Sequence, residues 1–347
     1  MKQDSTMAAA APVRQPVQTV AHGGDLSGLR AAYAGDWLDL STGINPVAYP
    51  VPPLTAEAWT RLPGAEELAM LLEAARQAYG APVEAGIVAV PGTQAAIQLL
   101  PRLSAKSRIT ILGPTYAEHA HVWRAAGHDV TELDSLPGNL NGIDVLLAVN
   151  PNNPDGRTLG LPLLRRWHAE LSTRGGWLIL DEAFADVVPE ASLDMDAGKP
   201  GLVILRSFGK FFGLAGLRLG FVLGPPALTD AIAAALGPWA VNGPALEIGT
   251  AALRDTAWQT AMRDELRVRS RRFDQAMRDR GIHVLGGTPL FRLAKINDAA
   301  GFALALRGQG IHTRIFEAQP QWMRFGLPAD EAEFWRRLDL VLKGFSL

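Results

Sequence analysis

From about residue 64 to 235, short apolar runs alternate with amphipathic helical patterns, and this narrows the fold more than any other feature of the chain. Ile87–Val90, Ile109–Leu112, Val145–Val149, Trp177–Leu180, Val203–Leu205 and Leu219–Leu223 read as short strands. Between them, Glu66 to Tyr79 puts Leu68, Leu71, Leu72, Ala75 and Tyr79 on one helical face. Gly92-Thr93-Gln94 opens another helix, Thr115–Ala126 reads as a third, and Leu161, Leu164, Trp167 and Leu171 mark a fourth. Short apolar strands joined by helices predict an α/β fold: a mainly parallel central sheet with helices on both faces.

After Gly237-Pro238 the texture changes. A long helical stretch, about 244–280, is followed by strands near 284–285 and 290–293, and then a helix near 299–307. Segments 313–316 and 323–326 and a last helix over 329–343 complete a smaller α+β domain. The expected division is a disordered leader over 1–20, a segment over 21–50 that joins the small domain, a large domain over 51–240 and a small one over 241–347. A length of 347 residues accommodates this, at roughly 150 residues per domain.

Composition removes several classes of function. With 33 basic and 35 acidic residues the net charge is −2, so no broad field draws nucleic acid or an anionic membrane, and charged ligands must be met by local groups. There is no cysteine, which removes disulfides, thiolate metal sites and a cysteine nucleophile. Lys2, Asp4 and Arg14 surround a four-alanine run, too short for the apolar core of about 7–15 residues that a signal peptide carries. No uncharged apolar stretch reaches the length of about 18 residues needed to span a bilayer. A cytoplasmic protein is the expectation.

Ligands of open α/β sheets bind beyond the carboxyl ends of the strands. Lys210, after the strand at 203–205, is either an ordinary solvated lysine or an amine able to form a Schiff base with a carbonyl cofactor. Asp181, at the end of Trp-Leu-Ile-Leu-Asp, caps the next segment, binds magnesium, or pairs with a protonated pyridine nitrogen. The magnesium reading needs a phosphate loop ending in Gly-Lys-Ser or Gly-Lys-Thr, but both Gly-Lys pairs here continue differently, with Pro200 and Phe211. Gly92, Thr93 and Gln94 offer free backbone N–H groups at a helix start, suited to a phosphate or to a simple cap. Arg218 and Ser207 are placed to join them, and Tyr116 either stacks on an aromatic ring or packs in the core. His119 and His121 lie two apart on a helix and face different ways, so solvated or core places are expected rather than a metal site.

The segment Ser-Phe-Gly-Lys-Phe-Phe-Gly-Leu-Ala-Gly-Leu-Arg-Leu-Gly (207–220) resembles the Schiff-base lysine region of class I/II aminotransferases, the pyridoxal-phosphate (PLP) enzymes of fold type I. Asn-Pro-Asn-Asn-Pro-Asp-Gly (150–156) resembles their Asn-Pro-x-Gly loop, and Asp-Glu-Ala-Phe (181–184) their pyridine-nitrogen strand end. The motifs stand in the family's order, and the resemblance covers about residues 22–345. It implies that Lys210 binds the cofactor and shuttles protons, and that Asp181 keeps the pyridine nitrogen protonated. Asn153 donates to the ring 3′-oxygen. Gly92, Thr93, Gln94, Ser207 and Arg218 hold the phosphate, and Tyr116 stacks on the ring. A homodimer is implied as well. Two positions depart from the pattern: Phe184 and Leu62 stand where many relatives carry tyrosines, the first for the 3′-oxygen and the second for the neighbouring subunit's phosphate.

His-Gly-Gly-Asp-Leu (22–26) and Leu-Asp-Leu-Ser-Thr-Gly-Ile-Asn-Pro (38–46) resemble the start of threonine-phosphate decarboxylases of the cobalamin pathway, close relatives of histidinol-phosphate aminotransferases. The resemblance implies conversion of L-threonine O-3-phosphate to (R)-1-amino-2-propanol O-2-phosphate. The alternative is an aminotransferase acting on a phosphorylated amino acid. His22, Gly23 and Asn45 become substrate contacts, together with Asn153, Arg314 for the substrate phosphate and Arg324 for its carboxylate. Guanidinium forks match both groups, although structural salt bridges would explain either arginine. A non-catalytic PLP-binding regulator would need a DNA-binding domain, which a leader of about twenty residues is not expected to hold.

Overall fold

The computed structural model of the chain describes residues 22–29 and 33–345, so the leader expected over 1–20 lies outside the described residues. A short strand β1 (Leu38–Asp39) and helices α1 (Ala56–Thr60) and α2 (Ala65–Tyr79) come first. There follow β2 (Gly86–Val90), α3 (Thr93–Leu103), β3 (Arg108–Leu112), α4 (Glu118–Ala125), β4 (Asp129–Leu133), β5 (Val145–Val149), α5 (Leu161–Ser172) and β6 (Trp177–Asp181). Then come β7 (Leu202–Ser207), α6 (Phe208–Phe211), β8 (Gly220–Gly224) and α7 (Pro226–Leu236). Strands β2 to β8 form one sheet in the order β2-β8-β7-β6-β5-β3-β4. Only β8 runs against its neighbours; β4, β3, β5, β6 and β7 pair in parallel.

Side-chain alternation divides the sheet into two packed faces. Leu146, Ala148, Leu178, Leu180, Leu202 and Ile204 join the core formed with α2 and α5. Val145, Leu147, Val149, Ile179, Val203 and Leu205 join the opposite core, with α3, α4 and α7. Burial on both faces is why these strands read as unbroken apolar runs. The same parity puts Asp181 and Ser207 on the α3–α4 face, whereas Glu182 and Arg206 turn to the other. Strand β4, absent from the sequence expectation, is the exposed edge strand Asp-Val-Thr-Glu-Leu, whose mixed composition gives no apolar run.

The rest of the chain holds α8 (Gly243–Arg254), α9 (Thr256–Asp279), β9 (His283–Thr288), β10 (Phe291–Lys295), α10 (Ala299–Arg307), β11 (Ile311–His312), β12 (Arg314–Phe316), β13 (Gln319–Gly326) and α11 (Glu331–Leu342). The helical stretch expected over 244–280 is two helices, because Asp255 leaves helical geometry and its carboxylate caps α9 by accepting from the Trp258 N–H at 2.9 Å. Four strands make an antiparallel sheet, β12-β13-β10-β9. The N-terminal segment reaches this region: β1 pairs in parallel with β11, and the Gly326 N–H donates to the Leu40 carbonyl at 2.7 Å. Among the described residues no helix is long and apolar enough to cross a membrane.

Behind the ends of β6 and β7 lies a buried charge cluster. Arg206 donates to Glu182 at 3.1 Å and to Asp186, and its guanidinium also meets Asp194 at 3.1 Å. All four side chains are buried, and the Arg206 guanidinium lies 4.4 Å from the centre of the Tyr79 ring. Three carboxylates exceed what one guanidinium neutralises. Burial and the neighbouring Asp194 push the Glu182 carboxyl up to about 8, against the pull of Arg206 and the hydrogen bonds from Ser192 and Leu193. The folded state therefore holds a proton that an unfolded Glu, near 4.5, has lost. That contribution to stability is full below the unfolded value and is lost as pH rises through about 8. The melting temperature should fall between pH 7 and pH 9, and Glu182→Gln should flatten that slope. A wild-type melting temperature that stays level across this window would show Glu182 ionised throughout.

Candidate active site

The carboxyl ends of β3, β5, β6 and β7 and the start of α3 surround a cavity of about 550 Å³, closed on the other side by residues 22–23, 41–43, 314–316 and 324. Asp181 is its most buried carboxylate, at 4% exposure, and the parity of β6 aims it inward. Its Oδ1 accepts from the Ala183 N–H at 3.0 Å and its Oδ2 lies 2.9 Å from His119 Nε2. A buried carboxylate held at two points is a fixed negative charge aimed at whatever the cavity holds. His119 is 1% exposed, so the core place expected for it holds, but its ring also positions Asp181. The signal available was its place one helical turn after Tyr116; the two rings meet edge to face at 5.8 Å.

Lys210 lies on α6, directly after β7, and lines the same cavity. Burial, and then the positive charge of Arg324, bring its amine down to about 8, with Asp181 opposing. The aromatic ring of Phe184 lies 5.9 Å from its Nζ. Gly92 precedes α3 at φ 78°, and a Cβ there would come within 2.5 Å of Arg218 Nη2, so only glycine lets the guanidinium sit against this helix start. Arg218 itself is left-handed, at φ 54°. Thr93, Gln94 and Ser207 line the cavity beside it. An arginine and a helix start with free N–H groups, meeting where a side chain would not fit, form an anion cradle.

Tyr116 donates its hydroxyl to Gln94 Oε1 at 3.2 Å and is pushed up to about 12, first by burial and then by Glu118 and Asp181. Asn153 accepts from Arg324 Nη1 through its side-chain oxygen, and Arg324 Nη2 donates to the Ser41 carbonyl at 2.6 Å. Arg324 is buried, and its Nε has no partner. Arg314 sits directly opposite it, paired across the β12–β13 ladder. Like charges on facing positions destabilise a sheet, and here both line the cavity. Burial brings Arg324 down to about 10, with Arg314 adding to the effect. His22 and Gly23 also line the cavity. A Cβ on Gly23 would meet the Ser41 carbonyl oxygen at 2.6 Å, so the main chain there packs directly on Ser41.

One sequence expectation gives way. Asn45 does not line the cavity: its amide donates to the Phe211 carbonyl at 2.8 Å and accepts from the Val47 N–H at 2.9 Å. With its backbone N–H on the Lys210 carbonyl at 2.9 Å, it braces the helix that carries Lys210. Ser41, Glu118 and His119, none of them expected from the sequence, support the walls. Among the described residues no cluster of acidic and histidine side chains is placed to hold a metal.

The set fits PLP: an anion cradle for its phosphate, a buried carboxylate for a cationic ring nitrogen, a tyrosine for its face, and a lysine whose amine is partly neutral near pH 8. Residues 55–336 match the family described as aminotransferase class I and II. A Pseudomonas aeruginosa protein named threonine-phosphate decarboxylase is 47% identical over 94% of this chain and 98% of its own length. A Sinorhizobium protein of the same name is 41% identical over 93% of this chain and 98% of its own. The solved histidinol-phosphate aminotransferase of Clostridium acetobutylicum superposes with a TM-score of 0.79 at 23% identity, covering 89% of this chain and all of that one.

The lysine value leads to a direct expectation. Protein freed of cofactor should capture added PLP, read by its visible absorbance, with a pH midpoint near 8. Arg324→Met should move that midpoint upward, because it removes a cation that disfavours the charged amine. A midpoint that does not move would leave burial as the sole cause.

Proposed function

The chain belongs to the aminotransferase class I and II family, and from that premise we propose that it is a PLP-dependent lyase. Its reaction is the decarboxylation of L-threonine O-3-phosphate to (R)-1-amino-2-propanol O-2-phosphate, a step of cobalamin biosynthesis. The observation that carries the substrate class is the cross-strand pair Arg314 and Arg324, two guanidinium groups facing each other in the cavity wall. Their mutual repulsion is relieved by a ligand with two anionic groups, and a phosphorylated amino acid brings a phosphate and a carboxylate. The identity to threonine-phosphate decarboxylases over nearly the whole chain supports this choice.

When bound, PLP supplies an electron sink conjugated to the substrate's Cα. The protein's residues do the rest. Lys210 Nζ would hold the cofactor aldehyde and deliver the proton that takes the place of carbon dioxide at the reacting carbon. Asp181, steadied by His119, is the counter-charge that keeps a proton on the pyridine nitrogen. Gly92, Thr93, Gln94, Ser207 and Arg218 take the cofactor phosphate, Tyr116 covers the ring, and the Asn153 amide nitrogen serves the ring oxygen. Phe184 brings no hydroxyl to that oxygen. Arg324 takes the substrate carboxylate, and Arg314 and His22 the phosphate, with Gly23 allowing close approach. Two anion clamps on one wall would fix the orientation of the substrate's Cα and so decide which of its bonds reacts. Leu62, Trp59 and Met70 are exposed on the 59–70 stretch, Trp59 at 69%. An apolar strip of this kind fits a homodimer interface. A cytoplasmic location completes the reading.

Carbon dioxide from phosphothreonine, measured against keto acid, decides between decarboxylation and the aminotransferase alternative. Lys210→Ala should abolish turnover. Asp181→Ala should cost at least about a hundredfold in kcat, roughly 3 kcal/mol of transition-state stabilisation, while PLP stays bound. Arg314→Ala should lower kcat/KM for phosphothreonine by roughly 30- to 100-fold, the worth of a charge-assisted pair of hydrogen bonds. The same change should leave the slow reaction of L-threonine nearly as it was, because threonine lacks the group Arg314 holds. Equal losses on both substrates would move Arg314 out of the phosphate site.

A further inference from the structure

Glu118 is a carboxylate where the chemistry calls for cations. It stands at the start of α4 with its side chain 9% exposed, beside a cavity proposed to take a phosphorylated substrate. Each of its oxygens is engaged. Oε1 lies 3.1 Å from His22 Nε2, and Oε2 accepts from Gln94 Nε2 at 2.9 Å and from Gln98 Nε2 at 3.5 Å. Gln94 in turn accepts from the Tyr116 hydroxyl at 3.2 Å.

His22 is the only one of these groups on the N-terminal segment, and its side chain is about half exposed, at 49%. The segment is fixed at two places. On one side, the Gly24 N–H donates to Ser41 Oγ at 2.8 Å, and Gly23 packs on the Ser41 carbonyl that also accepts from Arg324. On the other, His22 meets Glu118. Residues 22–24 thus run from the Arg324 wall to the α4 wall across the cavity, and the His22–Glu118 contact is the fastening on the α4 side. With Nε2 held against Glu118, Nδ1 is the ring nitrogen left for a second partner.

We propose that Glu118 is a positioning residue for substrate recognition: it fastens His22 across the cavity and orients its imidazole, so that the free ring nitrogen meets the substrate's phosphate. This deepens the proposed function and rests on it for the identity of the substrate. The carboxylate is held 3.1 Å from the imidazole by one oxygen and tied back by two glutamines through the other, so its route to the substrate phosphate runs through His22 and its route to the cofactor side through Gln94.

The test is a double-mutant cycle on PLP-loaded protein, with L-threonine O-3-phosphate as substrate: wild type, Glu118→Gln, His22→Ala and the double variant. Glu118→Gln should raise KM about tenfold with kcat changed less than about threefold, and in the His22→Ala background it should change KM by less than about twofold. A rise in KM of the same size in both backgrounds, or a fall in kcat with KM unmoved, would overturn the proposal and leave Glu118 a brace for Gln94 and Tyr116. If the wild type releases no carbon dioxide from phosphothreonine, the functional reading fails. The same four proteins titrated calorimetrically with inorganic phosphate then judge the pair: non-additive losses support it and additive ones overturn it.

Discussion

The Arg206 cluster holds the site's two most important strand ends in one place. Arg206 precedes Ser207 at the end of β7, and Glu182 follows Asp181 at the end of β6. Alternation sends the members of each adjacent pair to opposite faces of the sheet. The hydrogen bonds that Arg206 makes to Glu182 and Asp186, and its ion pair with Asp194, on one face therefore help to fix Asp181 and Ser207 on the other. Removing the guanidinium would take the counter-charge from this buried acidic cluster, a loss of about 3–5 kcal/mol for even a single broken buried pair. The cluster costs desolvation and holds more negative charge than it neutralises. What it provides is direction: β7 runs two residues past the partner of Asp181 and ends at Ser207, with Lys210 four residues beyond Arg206 on a short turn of helix.

The charge of the cavity follows a different rule from the charge of the chain. A net charge of −2 says nothing of the cavity, where Lys210, Arg218, Arg314 and Arg324 converge. Burial first, and the neighbouring cations second, bring the Lys210 amine down to about 8 and Arg324 to about 10. The convergence of four cations in one cavity favours anionic ligands. It also divides the labour, because Arg218 leans on the start of α3 while Arg314 and Arg324 face each other on another sheet.

Most of this was legible in the sequence where physics acts locally. Strands β5, β6 and β7 are buried on both faces, so their apolar runs announce them, and the polar residues after each run are then where α/β ligands bind. Lys210, Asp181, Asn153 and the Gly92–Gln94 turn all come from that argument, sharpened by family resemblance. What was not legible depends on partners distant in sequence. β4 is an exposed edge and carries no apolar signal. Asn45 lies in a motif that suggests ligand binding, yet its amide is spent on the backbone of residues 211 and 47. The hold of His119 on Asp181 has no local signal, because the two are 62 residues apart. The pairing of Arg314 with Arg324 required the β12–β13 register, which no periodicity in so short a strand as β12 could fix.

The residues around the start of α4 show how a shared cofactor site can be turned to a particular substrate. Tyr116 and His119 lie one helical turn apart and meet edge to face, and His119 holds the Asp181 carboxylate. Glu118, between them in sequence, points to a different set of partners, the glutamines of α3 and the imidazole of the N-terminal segment. Changing residue 118 can therefore alter the fastening of His22 without moving Asp181, because the two contacts are carried by different side chains on a single turn. Gln94 links them through its bonds to Tyr116 and Glu118, and the His22 and Tyr116 rings meet with centroids 6.1 Å apart. A fold that separates cofactor chemistry from substrate choice in this way can keep Lys210 and Asp181 fixed while the ring of anion-holding groups above them changes. The 23% identity behind a TM-score of 0.79 shows how few side chains a shared backbone fixes.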